Sequence, residues 1–541
     1  MRTIRPSLIL LFASLKSMLI FSQNSNVLNY LPADAKMIIK INPGRLSKQI
    51  TWQELKDSKM FQEMMKDFPE NGKEFLNDPA RTGIDLSKGF FLVMPNNMTS
   101  QKLDPVFFAV PKDTAQIASM VRKIFPGKRT EKAGNGKLIV DKHTALAWNN
   151  QVIILTGDDA KKDSSNRTKT NNTELTRLRQ LQDRMKMLLT TRQKTPGNET
   201  FASLIKEDGD LLFWTNNTVP SQARGKTQIP KAFGMLNQGF MRKGDFTAGV
   251  IKFENGKVIA QVKQYISQSM DSLYKKYPLK NMNSELAGKL PSGHPILLCS
   301  FTLSPGMLGD LYTKTGADKL IDSISKHKIQ VGEILPAIKG DLMLAVLKSD
   351  TVTERDSVTK AMNGIQVVLA GGIHDQEKFK NLSSLFQNKS QDPAKSNSSK
   401  KPQPVLLSDG SIFVISLSQT VAEQFLKSSG NNELMQKMIA PYQNHPTVFI
   451  VDLRTVFGFA MQGVVKNKTP EEVRQTAEVL GMFDKLVSYG GEFENHSIAT
   501  TMELILANKD QNSFKQFLNL LNLIYSLKPK SSTAFNQPPA H

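Results

Sequence analysis

GDFTAGVIKFENGKVIAQVKQY, residues Gly244–Tyr265, has a counterpart in VSYGGEFENHSIATTMELI, residues Val487–Ile505. Both carry Phe-Glu-Asn at the same place, as Phe253-Glu254-Asn255 and Phe493-Glu494-Asn495, after a small-residue run and before an alternating apolar stretch. Alternation with period two predicts a strand on either side, and the triplet predicts a β-hairpin tip. Asn255-Gly256 suits a two-residue turn. Asn495-His496 suits one as well, since Asn tolerates the left-handed region. A hairpin made twice predicts that the chain is built twice.

The order of signals around the two hairpins extends that reading. Leu31-Pro32 precedes the strand-like Met37–Ile41, and Leu290-Pro291 precedes Ile296–Phe301. Lys88-Gly89 leads into Phe90–Met94, and Lys339-Gly340 leads into Asp341–Val346. A strand followed by a capped helix occurs at Val106–Val110, with Asp113 or Thr114 as the cap, and again at Gly364–Leu369 with Asp375. Asp210–Trp214 then corresponds to Thr447–Val451. The period of about 250 residues is that of a domain and not of a solenoid repeat. The expected fold is α+β: two homologous halves, each a mostly antiparallel sheet with helices packed on one face. The expected boundaries are 1–22 for a signal peptide, 23–280 and 281–527 for the halves, and 528–541 for a disordered tail. Within the halves, Trp52–Phe68 predicts one helix, Thr420–Glu423 a capping box, and Ser513–Leu527 an amphipathic C-terminal helix.

A chain of 541 residues exceeds a single core, and 39% hydrophobic residues suffice for globular domains. The formal net charge of +21 favours anionic partners. Cys299, the one cysteine, excludes an intramolecular disulfide and a Cys-rich metal site. At the N-terminus, Arg2 and Arg5 precede the apolar run Leu8–Phe21 and then Ser22, the pattern of a cleaved secretory signal. At 14 residues the run is short for a bilayer span, so no transmembrane segment is expected after cleavage. The absence of a Cys after the signal argues against a lipid anchor there.

No catalytic motif is present. The seven histidines are scattered, without the spacing of a metal site. There is no Gly-x-Ser-x-Gly, no Ser-x-x-Lys and no Gly-x-Gly-x-x-Gly. No cofactor is therefore expected. Two stretches interrupt the repeat: a basic insertion at 161–195 and a Ser/Lys/Pro linker at 388–404. The insertion predicts a helix over Glu174–Thr190, with Leu175, Leu178, Leu181, Met185 and Leu188 on one face. Arg177, Arg179, Arg184 and Lys186 fall largely elsewhere and are the candidate contacts to an anionic surface. Nucleic acid is disfavoured, because aromatics for base stacking are missing beside the basic run.

Leu31-Pro32-Ala33-Asp34-Ala35, Gly83-Ile84-Asp85-Leu86, Phe201–Trp214 and Phe253-Glu254-Asn255-Gly256-Lys257 together resemble the exported proteins of Bacteroidetes-type bacteria grouped as domain of unknown function 4836. The resemblance spans roughly 27–527. It implies an envelope location in a Gram-negative cell, in the periplasm or at the surface, and assigns neither an activity nor site residues. It also gives meaning to Asp-Ser/Thr-apolar triplets, which look like the O-glycosylation acceptors of such bacteria; Thr351 and Ser357, in a polar loop, are the expected carriers. The expectation is an exported, non-enzymatic binding or scaffolding module with a basic surface for anionic lipid or glycan, or for another envelope protein. The alternative is an enzyme or small-ligand-binding protein with its site between the halves.

Overall fold

The computed structural model describes residues 26–33, 35–66, 70–95, 105–141, 144–157, 171–191, 198–216, 246–315, 335–349, 364–387, 404–464 and 469–526. The expected signal peptide, the linker and the tail lie outside these residues, as do Thr351 and Ser357. The chain forms two compact units. Unit 1 takes 1–219, 247–258 and 508–541, and unit 2 takes 220–246 and 259–507.

Unit 1 contains β1 (Ala35–Ile41), β2 (Phe90–Pro95), β3 (Val106–Ala109), β4 (Glu131–Ala133), β5 (Gly136–Asp141), β6 (Thr144–Trp148), β7 (Ile153–Gly157) and β8 (Leu211–Asn216), with most of β9 (Phe246–Glu254). The antiparallel order is β4-β5-β6-β7-β3-β2-β1-β8. β1 lies between β2 and β8, with Ile39 opposite Leu92 on one side and Phe213 on the other. The Thr114–Ile124 helix buries Ile117, Met120 and Val121 against Ile139, Leu146 and Trp148. Of the two expected caps it is Asp113 that starts it, accepting hydrogen bonds from the Ala115 and Gln116 amides.

The expected one-sided covering by helices does not hold in unit 1. The Asn171–Thr190 helix lies on the opposite face of β5 and β6, and strand alternation explains this. Ile139 belongs to the Thr114–Ile124 side, whereas at Gly136 an added Cβ would come within 2.7 Å of Leu189. The chain approaches so closely there that only a residue without a side chain fits.

Unit 2 contains the remainder of β10 (Lys257–Tyr265), then β11 (His294–Thr302), β12 (Ile338–Lys348), β13 (Ile365–Ile373), β14 (Val405–Ser408), β15 (Ile412–Ser416), β16 (Thr447–Asp452), β17 (Phe483–Glu494) and β18 (Ser497–Leu506). The antiparallel order is β14-β15-β13-β12-β11-β16-β17-β18, with β10 beyond β18. β11 lies between β12 and β16, as β1 lies between β2 and β8. The core gathers Leu298, Met343, Ala345, Val368 and Val448 beneath Val421, Phe425 and Met435. The β14–β15 hairpin turns at Asp409-Gly410 as its sequence predicts: Gly410 has φ 90°, and Asp409 accepts from the Ser411 and Ile412 amides.

Local sequence reading misplaced two details. Trp52–Phe68 is not one helix. It breaks at Ser58 into Trp52–Asp57 and Lys59–Lys66, because the Ser58 hydroxyl donates to the Leu55 carbonyl and accepts from the Phe61 amide. The helix expected to be capped at Thr420 begins at Gln419, with Ser418 accepting from the Val421 amide. The boundaries also differ from chain halves. The Ser513–Ser526 helix packs Leu518, Phe514 and Leu521 into the unit 1 core with Trp52, Leu55 and Phe61. The Gln268–Lys276 helix belongs to unit 2, where Leu273 meets Met307.

The repeated Phe-Glu-Asn triplets serve these two helices. In unit 1 the Phe253 ring lies 5.2 Å from Phe514 and 6.4 Å from Phe517, and the Gly256 amide donates to the Gln511 carbonyl at 2.9 Å. In unit 2 the Phe493 ring stacks on Tyr274 at 5.1 Å, and the Ile266 amide donates to the His496 carbonyl at 3.1 Å. Both turns use the left-handed region, with φ 66° at Gly256, 49° at Asn495 and 61° at His496. At Gly256 an added Cβ would also meet the Lys509 backbone at 2.6 Å, so glycine is required there twice over.

Candidate functional site

The segment Val121–Lys137, VRKIFPGKRTEKAGNGK, holds six basic residues and one acidic residue. Its local structure bends it around a groove in unit 1. The Thr114–Ile124 helix ends as the Phe125 amide donates to the Val121 carbonyl, and Pro126-Gly127 turns the chain, with Gly127 at φ 75°. β4 and β5 follow, joined through Gly134-Asn135, and the Asn149-Asn150 bend closes one end. The groove encloses about 1100 Å³.

Arg122, Lys132 and Lys137 line it as exposed side chains, with Glu131 as the acidic neighbour. Glu131 is occupied: Gln182 donates to it, and Lys186 lies 3.6 Å away. Arg122 donates only to the Ala118 carbonyl, and Lys132 and Lys137 make no ion pair among the described residues. Two neighbours are neutralised, Lys123 by Glu74 and Lys128 by Asp141 at 2.8 Å. The floor is the buried Trp148 and Asn149. The Asn149 amide is committed to Tyr30, Asn135 and the Gln151 and Val152 amides, so it holds the bend rather than facing a ligand. Asn150 and the Asn135 amide nitrogen remain as polar groups at the groove wall. Chemically this is a concave surface with three uncompensated cations and neutral hydrogen-bonding groups, suited to anionic oxygens beside hydroxyls.

The predicted basic helix stands at the back of this site. The Asn171–Thr190 helix buries Met185, Leu188 and Leu189 and half-buries Leu178 and Leu181. Its outward residues are Thr176, Arg179, Gln180, Asp183 and Met187, a mixed face. Arg179 is exposed, Arg184 is half-buried and engaged, and Lys186 is spent on Glu131. The Arg177 side chain, like Thr351 and Ser357, lies outside the described residues. Of the four predicted basic residues, the three with described side chains thus differ: Arg179 is exposed, and Arg184 and Lys186 are engaged within the fold. The groove cations were missed in the sequence, where the dense basic run Val121–Lys137 is the signal that points to them. What the sequence did not show was which of them find carboxylates across the fold.

Among the described residues no group of three or more His, Cys, Asp or Glu could hold a metal, and no helix is long and apolar enough to cross a membrane. No curated protein matches the chain. Among solved structures, crystal form IV of TP0453 is similar at 7% identity with a TM-score of 0.26, covering 47% of this chain and 86% of that chain. Crystal form III of TP0453 is similar at 8% identity with a TM-score of 0.25, covering 48% and 90%. The family described as Domain of unknown function (DUF4836) matches residues 27–364, well over half of the chain. By that match, the chain belongs to the DUF4836 family.

Proposed function

We propose that this protein is an exported, non-enzymatic binding module of the cell envelope, and that the unit 1 groove takes an anionic glycan. The observation that carries the reading is the groove itself, where Arg122, Lys132 and Lys137 share one concavity without a carboxylate to neutralise them. A groove with amide groups beside its cations favours a glycan chain over the flat plane of a bilayer. The N-terminal pattern of basic residues and the apolar run Leu8–Phe21 supports export. The same neighbour pattern around β1 and β11 supports an origin of the two units by duplication.

The test is binding of heparin, as a polyanionic glycan probe, to the mature chain. Lys132→Gln with Lys137→Gln should weaken it about tenfold or more, as expected for losing two charge-assisted contacts. Vesicles rich in anionic phospholipid form the second arm. Binding to vesicles without binding to heparin would replace glycan by lipid, and binding to neither would remove the proposal. Thr351 and Ser357 are proposed O-glycan carriers in the native host. An intact mass equal to that of the bare mature polypeptide would count against them.

A further inference from the structure

A second concavity, of about 590 Å³, lies within unit 2 and owes nothing to the unit 1 groove. Four separate segments supply its wall: Lys280, Asn281 and Asn283 before the Glu285–Gly288 helix, Thr302 at the end of β11, Lys339 and Asp341 on β12, and His374 after β13. We infer that this pocket is a binding site for a small, singly anionic group, a carboxylate or a phosphate, held by Lys280, Lys339 and His374.

The argument rests on which polar groups are spent and which are not. Asp341 is fully used as a structural acceptor: one oxygen takes the Asn283 amide at 2.8 Å and the other the Gly372 backbone amide at 3.2 Å. Thr302 donates its hydroxyl to the Asn281 carbonyl at 3.2 Å. These bonds tie the Lys280–Asn283 segment to the sheet and shape the pocket. The three cationic or donor side chains are left over. Lys280, Lys339 and His374 make no side-chain hydrogen bond or ion pair among the described residues. Lys339 is the telling case. An added Cβ at Gly372 would meet its Cδ at 2.8 Å and the Asp341 Oδ1 at 2.6 Å, so its stem runs beside that carboxylate, yet the two make no ion pair. Two ammonium groups and an imidazole provide N–H donors for anionic oxygens. The Asp341 carboxylate in the same wall disfavours a second negative charge on the ligand, so the pocket selects a compact anion where the unit 1 groove accepts a polyanion.

The experiment is calorimetric titration of the mature chain with inorganic phosphate and, separately, acetate, at about pH 6, where both are mainly monoanions, with ionic strength held constant by sodium chloride. Saturable one-to-one binding of either anion is expected, and the stronger of the two identifies the class. Lys280→Gln and Lys339→Gln should each weaken it about tenfold, the scale of one charge-assisted contact. Both side chains are exposed, and circular dichroism checks that each variant is folded. Saturable binding should persist in a chain that also carries Lys132→Gln and Lys137→Gln, where the groove contributes least to the signal. Silence with both anions overturns the inference, as does a Lys339→Gln variant that binds like the unaltered chain.

Discussion

Phe253 and Phe493 show how a repeated residue acts through packing. Each ring is half-buried at a hairpin tip and holds an aromatic of a helix from elsewhere in the chain, Phe514 in unit 1 and Tyr274 in unit 2. Phe253→Ala should cost unit 1 about 2 kcal/mol, below the range for a fully buried Phe, and Phe493→Ala a similar amount in unit 2. Urea unfolding curves would measure both. Replacements as stable as the natural residues would deny the rings this role. Asp210, fully buried, accepts from Arg45 at 3.1 Å, Gln49 at 3.0 Å and the Phe253 amide at 2.7 Å. Removing it as Asp210→Ala leaves the Phe253 amide without its acceptor and leaves Arg45 with Asp208 alone, so a loss of about 2 kcal/mol is expected. Glu54 behaves differently. Its hydrogen bond from Lys515, together with that from the Thr51 amide, lowers its pKa from 4.5 to about 2. A depressed carboxylate stabilises the fold above its unfolded pKa and ceases to as the pH falls through the folded value. Glu54→Gln should therefore be less stable than the unaltered protein at pH 6 and equal to it at about pH 2. The side chain is 38% exposed, so solvent screening keeps the difference below about 1 kcal/mol.

Among the elements, the Ser513–Ser526 helix carries the strongest consequence. It is the last described helix of the chain, yet its apolar face completes the core around Trp52, Leu55 and Phe61. Each Leu or Phe buried there contributes about 1.5–3 kcal/mol when fully covered. A chain ending at residue 508 should lose cooperative unfolding of unit 1 while unit 2 keeps its own core. Hydrogen exchange resolved by segment would show this as lost protection in β1 and in the Trp52–Asp57 helix. Protection unchanged in both would mean that the helix is dispensable. A fragment limited to the family match, 27–364, lacks this helix and also β13 to β18, and should not fold stably. Periodicity revealed that the Ser513–Ser526 helix is amphipathic. Its partner was not readable, because an apolar stripe states that a face must be covered without stating by what.

For the whole molecule, +21 is a charge that individual ion pairs only partly redistribute. Lys123, Lys128 and Lys186 are compensated in unit 1, whereas Lys132 and Lys137 are not. Heparin binding through exposed cations should weaken steeply between low and physiological salt, where the screening length falls to about 8 Å. Binding that ignores salt would argue for another kind of contact. Phosphate binding in unit 2, measured at fixed ionic strength, is the independent readout of the other basic site.

Two Phe-Glu-Asn hairpins, a helix capped at Asp113 or Thr114, the Asp409-Gly410 turn and the α+β class follow from the sequence alone. Each depends on periodicity or on hydrogen bonds spanning a few residues, and such interactions are written locally. Only the tertiary structure decided that the Asn171–Thr190 helix lies across the sheet from the Thr114–Ile124 helix, and that the C-terminal helix completes unit 1. The same holds for the cations that remain unneutralised. Whether Lys132 or Lys186 meets a carboxylate depends on distances between residues far apart in the chain, and those distances exist only after folding.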